Sequence, residues 1–434
     1  MPSRNGQAFA KLKSTATPIP LACALSFANV ETAQTPSENE MPHCRDLAWV
    51  LLALILLSAC SGPVAVTNVQ AAVDEGGIVR FPAGTYLLTQ TVVVRQSNTV
   101  IQGSGPDTVF IFEPALPQVH CVNDRAFTTP CDAADPAPRQ VEQPIAIGDS
   151  FFTAADTVND LRSGDWLIVA EKDLVPGEVV IIDWVQVASA SGNTVTVRSP
   201  FRTAFPNTHP WVPGSSGLGF LKIPQLVEGV QFRDLTIVVP DSGADAPGIS
   251  VFAAKDTVVD NVEVQDPDGQ PLYSYLSQGL TVSNSSGIGG KVLNEFAATV
   301  DLTLSNNSFS STEDAGVGLD FGTGFFAMVS NDVPSSSMIG MYLLDGVHDG
   351  SVNCNSLQFV SSTSSALGIL TRGSQRVSIE DNYLEGGEGP ASIGISIGTA
   401  YGGLDQPIVS TGNVVAPNWF GPLWIADYDP TNQP

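Results

Sequence analysis

Short apolar runs broken by turn residues set the pattern of the chain from residue 78 onward. IVRF, TYLL, TVVV, TVIQG and TVFIF follow one another between residues 78 and 112, with PAG, RQSN and GSGPD among them. No helical period intervenes, so the segment reads as strand–turn–strand. Just ahead of it, Val66, Val69 and Val73 recur at helical spacing. Thr67 or Asn68 is placed to cap the start of a short helix and Gly76 to end it.

The C-terminal half repeats one short motif: apolar, any, Asn or Asp-like, often Asn, any, apolar. It centres on Asp234, Asn261, Asn284, Asn306, Asn331, Cys354, Asp381 and Gly412, at spacings of 27, 23, 22, 25, 23, 27 and 31 residues. That is the coil length of a β-solenoid, in which no coil buries its apolar face alone and stacked coils share one core. Asn suits a repeated corner because it tolerates left-handed backbone and bonds neighbouring peptides. Asn307, Asn355, Asn382 and Asn413 are expected to stack there as a partial ladder. Cys354, at such a corner, reads as a buried free thiol. A second register, Gly-apolar-any-apolar, recurs at Gly248, Gly279, Gly318, Gly340, Gly368 and Gly394. Strand alternation then predicts an outward row of Ser250, Thr281, Asp320, Tyr342, Leu370 and Ser396.

The stretch VQAAVDEGGIVRFPAGTYLLTQTVVVRQSNTVIQGSGPDTVFIF resembles the opening of the pectate-lyase-like superfamily. The resemblance covers about 45 residues and implies an all-β fold: a right-handed parallel β-helix with a short N-terminal capping helix. Residues 113–215 are longer than a coil. They begin Pro- and Asp-rich around Cys121 and Cys131, a pair expected to close a disulfide loop outside the cytoplasm. They continue as alternating strands joined by a Gly-Asn turn, which predicts an inserted antiparallel β-module with Trp166 and Trp184 in its core.

The N-terminus reads as an address. Leu47 to Leu57 is an eleven-residue apolar run, too short to span a bilayer and right for a signal-peptide core. Leu57-Ser58-Ala59-Cys60 resembles the bacterial lipobox, which implies lipidation of Cys60. Residues 1–40 read as an extension ahead of a start at Met41, 41–59 as a lipoprotein signal peptide, and 60–112 as cap helix and first coils. Residues 113–215 are the insertion, and 216–434 the main coils with a C-terminal tail. The expected location is the cell envelope, at the outer membrane where two membranes exist, since Ser61 rather than Asp follows Cys60.

Charge narrows the partners. Lys and Arg number 18 against 44 Asp and Glu, a net charge of −26. Removing residues 1–59 takes four of each sign, so the exported body keeps all of it. Such a field excludes a phosphate-backbone partner, so no nucleic acid is expected. Oligomeric state is left open between a monomer and an undefined assembly.

The motifs of the relatives' enzymes are missing: neither the NTD, DD, GHG and RxK set of polygalacturonase-type hydrolases nor the WIDH-like and RxPxxR-like segments of pectate lyases is present. The remaining candidates for catalysis are Asp320 and Tyr342, expected side by side on adjacent coils, with Asp345, His348 and Arg372 at strand ends. A carboxylate, a phenol, an imidazole and a guanidinium on one face suit saccharide chemistry. Arg233 and Asp260 are expected to face each other across one ladder. No metal-ligand set is assigned, although calcium at a carboxylate cluster such as Asp266-Pro267-Asp268 stays open. Two readings result: a surface-tethered β-helix acting on or binding extracellular polysaccharide, as a lyase or glycoside hydrolase, or a non-catalytic adhesin, glycan-binding or structural β-helix.

Overall fold

In the computed structural model the described residues run from Val64 to Tyr428, leaving out 66, 114–126, 130–137, 173–178, 207–216, 241–246, 267–268, 290–293, 312–314, 337–338, 360–366, 386–392, 399–409, 417 and 421–424. Cys60, Cys121 and Cys131 therefore lie outside the described residues.

Each coil contributes three short strands, and successive coils pair in parallel into three ladders. Face I carries Thr281–Ser283, Thr303–Ser305 and Ala327–Val329. Face II carries Ser286–Gly289, Ser308–Ser310 and Asp332–Ser336. Face III carries Leu272–Tyr275, Asn294–Ala297 and Ala315–Asp320. The right-handed parallel β-helix follows from these ladders and from the hand of parallel crossovers. Alternation decides which residues enter the core: Val282, Leu304 and Met328 from face I, Phe309 and Val333 from face II, and Leu319, Met341 and Ile369 from face III share one continuous cluster.

The helix is α1, Thr67–Asp74. Val69 and Val73 are buried against the first coils, and Gly76, at φ 70°, ends the helix. Gln70 finishes the cap: its amide donates to Val93 O and its carbonyl accepts from Val93 N. Backbone groups that lack a preceding coil are thus satisfied by a side chain.

The insertion forms a six-stranded antiparallel sheet with its own core around Phe152, Phe201, Phe205 and Phe220. Its last strand, Gly217–Lys222, lies beyond the boundary at 215 drawn from the sequence, because GLGFL carries the same apolar pattern as a coil strand. The insertion leaves the stack unbroken, since Gln231 still pairs with Val100 and Thr236 with Val109. Trp166 and Trp184 do not fill the module's core. They pack with Leu276, Ala298 and Val300 where the module meets the coils.

Two corners flank face I, and each repeats a left-handed residue. Between faces I and II these are Asp234, Asn261, Asn284, Asn306, Ser330, Cys354 and Asp381, with φ of 50 to 56°. Ser330 takes the place expected of Asn331, because Asn331 turns inward. The buried ladder is Asn307, Asn331, Asn355, Asn382 and Asn418, each amide donating to the next side-chain carbonyl at 2.9 to 3.0 Å. Each also donates to a carbonyl of the preceding coil, as Asn331 does to Leu304 O. Asn413 is not in this ladder. It bonds Ser374 and Val377 at the other corner, between faces III and I, where Gly412 also sits. Cys354 is exposed, not buried, because the left-handed residue points outward and its successor points in.

Candidate functional site

The five residues singled out for catalysis do not assemble as expected. Tyr342 lies on face III with Gly318 opposite it on one side and Leu370 on the other. Asp320 pairs with Ala297 and sits two residues along from Gly318, diagonal to Tyr342. The outward row is Ser250, Tyr273, Glu295, Gly318, Tyr342, Leu370 and Ser396. Thr281 belongs to face I. The error lies in GVGLDF, which holds two glycines in the same pattern. The structure uses Gly316, where a Cβ would come within 2.4 Å of Val333 Cγ1, so that strand enters the core two residues earlier than read.

Tyr342 is only 9% exposed and packs with Ala315 and Leu370, so this part of face III is apolar and covered. Asp320 is buried, and its Oδ1 accepts the Phe321 amide at 2.8 Å. Asp345 and Arg372 do meet at the backbone, Asp345 N donating to Arg372 O at 3.0 Å. His348 turns onto face I instead. It is buried, its ring meets Phe325 edge-on, and its Nδ1 lies 2.8 Å from Asp349 Oδ2. Two bonds from Arg376 at 2.6 Å complete that cluster. Burial pushes the Asp349 carboxyl up, but the bonds and charges of Arg376 and His348 outweigh it and hold it well below the usual carboxylate range.

An open concavity lies at the corner between faces I and II. It is a groove of about 490 Å³ running across successive coils. One wall is the left-handed column, with Asn261, Asn284, Asn306 and Ser330; the other is the position two residues on, with Glu263, Ser286, Ser308 and Asp332. From Thr236 to Asp332 the second wall crosses four strand spacings, about 19 Å. At the first coils the groove is braced: Asn261 donates to Asp234 Oδ1 at 2.7 Å and Asn284 to Asp260 Oδ1 at 2.9 Å. Arg233 faces Asp260 in register, as expected. The Asn284 and Ser283 bonds, aided by the Arg233 charge, hold the Asp260 carboxyl below its ordinary range despite partial burial. Further along, the side chains of Ser286, Asn306 and Ser308 make no hydrogen bond to the protein among the described residues, which leaves donors and acceptors facing solvent.

Sequence reasoning missed this site because it looked for acids, imidazoles and phenols. The signal was present in the corner repeat itself, whose second residue after each left-handed position supplies the wall. Among the described residues no group of three or more His, Cys, Asp or Glu side chains is placed to hold a metal ion. Asp266, from the acidic loop, accepts the Gly269 amide at 2.8 Å, and Asp268 is outside the described residues.

No family profile matches the chain, and no curated protein sequence does. Solved structures do. The tailspike gp61 of Pseudomonas phage phi297 aligns with a TM-score of 0.50 at 12% identity, covering 82% of this chain and 69% of that one. The chain shares the parallel β-helix fold of that tailspike. The tailspike gp49 of Pseudomonas phage LKA1 aligns at 0.47 and 17% identity, covering 73% of this chain but only 55% of its own length. The surface adhesin PfbA of Streptococcus pneumoniae aligns at 0.43 and 12% identity, over 83% of this chain and 87% of that one.

Proposed function

We propose that this chain is a glycan-binding β-helix of the cell envelope, and that an extended polysaccharide lies in the groove between faces I and II. The observation that carries this reading is the repetition of small hydroxyl and amide side chains along about 19 Å of groove, those of Ser286, Asn306 and Ser308 making no hydrogen bond to protein among the described residues. A repeating polymer meets a repeating surface, and hydroxyl-bearing ligands need donors and acceptors that are not already spent.

Binding is favoured over hydrolysis by one distance. Glu263 and Asp332 are the carboxylates on the groove's second wall, and three strand spacings separate them, about 14 Å. Paired glycosidase carboxylates stand about 5 to 9.5 Å apart, so these two do not form such a pair. The reading carries with it the lipid anchor at Cys60, which would tether the chain to a membrane.

The test is affinity electrophoresis of the purified chain against neutral and acidic polysaccharides, with a parallel assay for new reducing ends and unsaturated uronates. Retardation without product supports the reading. Ser308→Trp, which fills the groove from its half-buried second wall, should abolish retardation while leaving the unfolding midpoint unchanged. Release of product would replace binding with catalysis. Loss of labelled palmitate incorporation in Cys60→Ala tests the anchor separately.

A further inference from the structure

The outer wall of the groove does not stop at Asp332. Its row continues in register through Ser356 to Tyr383 and Trp419. Thr236 to Trp419 spans seven strand spacings, about 34 Å. Over the earlier coils this position holds Thr, Glu, Ser, Ser, Asp and Ser. In the last two it changes to large aromatics, and both are open: Tyr383 is 44% exposed and Trp419 is 69% exposed. Neither contributes to the continuous core, which at these coils is closed by Leu384 and Ile379. Two adjacent aromatics left in water, on the row that lines the groove, gain nothing from burial and are the informative kind of apolar surface.

We infer that Tyr383 and Trp419 form a stacking platform for the pyranose rings of a neutral polysaccharide whose chain continues from the groove. The inference rests on the glycan-binding reading above. Charge selects the occupant. Aromatic platforms also hold single-stranded nucleic acid, but only in basic channels. Here the net charge is −26, and the exposed side chains of Asp332, Asp381 and Glu385 lie along the same coils. Polyanionic glycans meet the same repulsion. An uncharged sugar ring offers an apolar face to the aromatics and hydroxyls to Ser308 and Ser356.

The experiment uses the full chain and three neutral probes: dextran, laminarin and galactomannan. Affinity electrophoresis compares the wild type with Trp419→Ala, Tyr383→Ala, Trp419→Phe and Ser308→Trp. Trp419→Ala is expected to weaken binding of the retained probe about tenfold or more, with Trp419→Phe retaining most of it. Probe addition should also shift tryptophan fluorescence, and that shift should vanish in Trp419→Ala. If Ser308→Trp abolishes binding and Trp419→Ala leaves it unchanged, the platform is overturned and the groove reading survives. If Trp419→Ala abolishes binding and Ser308→Trp does not, the platform stands and the groove reading falls. Retention of none of these neutral probes overturns the platform, and the groove reading falls with it when the acidic polysaccharides are not retained either. Concentration-dependent self-association lost in Trp419→Ala, by sedimentation, would make the patch a contact between copies and overturn the platform.

Discussion

The two corners beside face I use one backbone device and spend their side chains in opposite ways. Between faces I and II, from Asn306 onward each left-handed residue is followed by an Asn that bonds inside the coil, as Asn307, Asn331 and Asn355 do. The polar needs of that corner are met from within, so Asn306, Ser308 and Ser330 are left to line a groove. Between faces III and I, the outward side chains are consumed. Asp301 holds Arg202 of the module at 2.6 Å, Phe325 lies 4.3 Å beneath the same guanidinium, and Asp349 holds Arg376. Lys255 reaches back over Trp166 at 5.4 Å while bonding Glu228 and Asp256. A repeated corner is therefore left free to bind where an internal ladder relieves its outer residues of structural work.

The sharpest way to break this contrast is to remove one rung of the ladder. Asn355→Ala takes away the acceptor of the Asn331 amide and backbone N–H, and the donor to Met328 O and Asn382. All of these groups are buried, and each one left unmet costs about 1 to 3 kcal/mol. The expected loss is about 3 to 5 kcal/mol in urea unfolding. A loss below about 1 kcal/mol would mean that the ladder does not hold the corner and the contrast fails.

Arg202→Met addresses the other corner with a smaller effect. Asp183 on the module is 1% exposed, and burial pushes its carboxyl above the ordinary range despite Arg202. Stripping a buried carboxylate of its partner costs about 3 to 5 kcal/mol. Arg202 is partly exposed, and Asp183 keeps bonds from the Trp184 and residue-202 amides at 2.9 and 3.0 Å, so about 2 kcal/mol is expected. Hydrogen exchange should place the loss at the junction, around Trp184 and Ala298, with the Asn ladder unchanged. Uniform loosening of the coils would show that the module and the stack are one cooperative unit.

The coil length, the parallel ladders and the cap helix were legible because they depend on apolar alternation and on local tolerance of left-handed backbone. Val69, Val73 and Gly76 behave as their spacing implies. Frame was harder to read. Gly316 and Gly318 satisfy one pattern equally in sequence, and only the closeness of Val333 to a Cβ at 316 decides between them. The site was illegible for a different reason. Tyr342 and His348 carry conspicuous chemistry, yet one is packed against Leu370 and the other against Phe325. Ser286 and Ser308 carry none on their own, and they matter through their repetition on one wall. Asn418 and Trp419 were missed because the last coil is longer than the others and its corner falls outside the spacing used to find the rest.

Asp349→Asn is the mildest probe of the contrast, and its signature is in pH. The folded protein holds this carboxyl far below the unfolded value of about 3.9. A depressed acid binds more protons when unfolded, so its contribution is complete above that value and is lost as pH falls towards the folded one. At neutral pH the substitution should cost under about 1 kcal/mol, since Arg376 is nearly half exposed and water screens the pair. Urea midpoints taken from pH 7 down to about pH 2 should then fall less steeply in the variant than in the wild type. Parallel acid limbs would show that Asp349 is not spent on structure, and the corner between faces III and I would then be as free to bind as its neighbour.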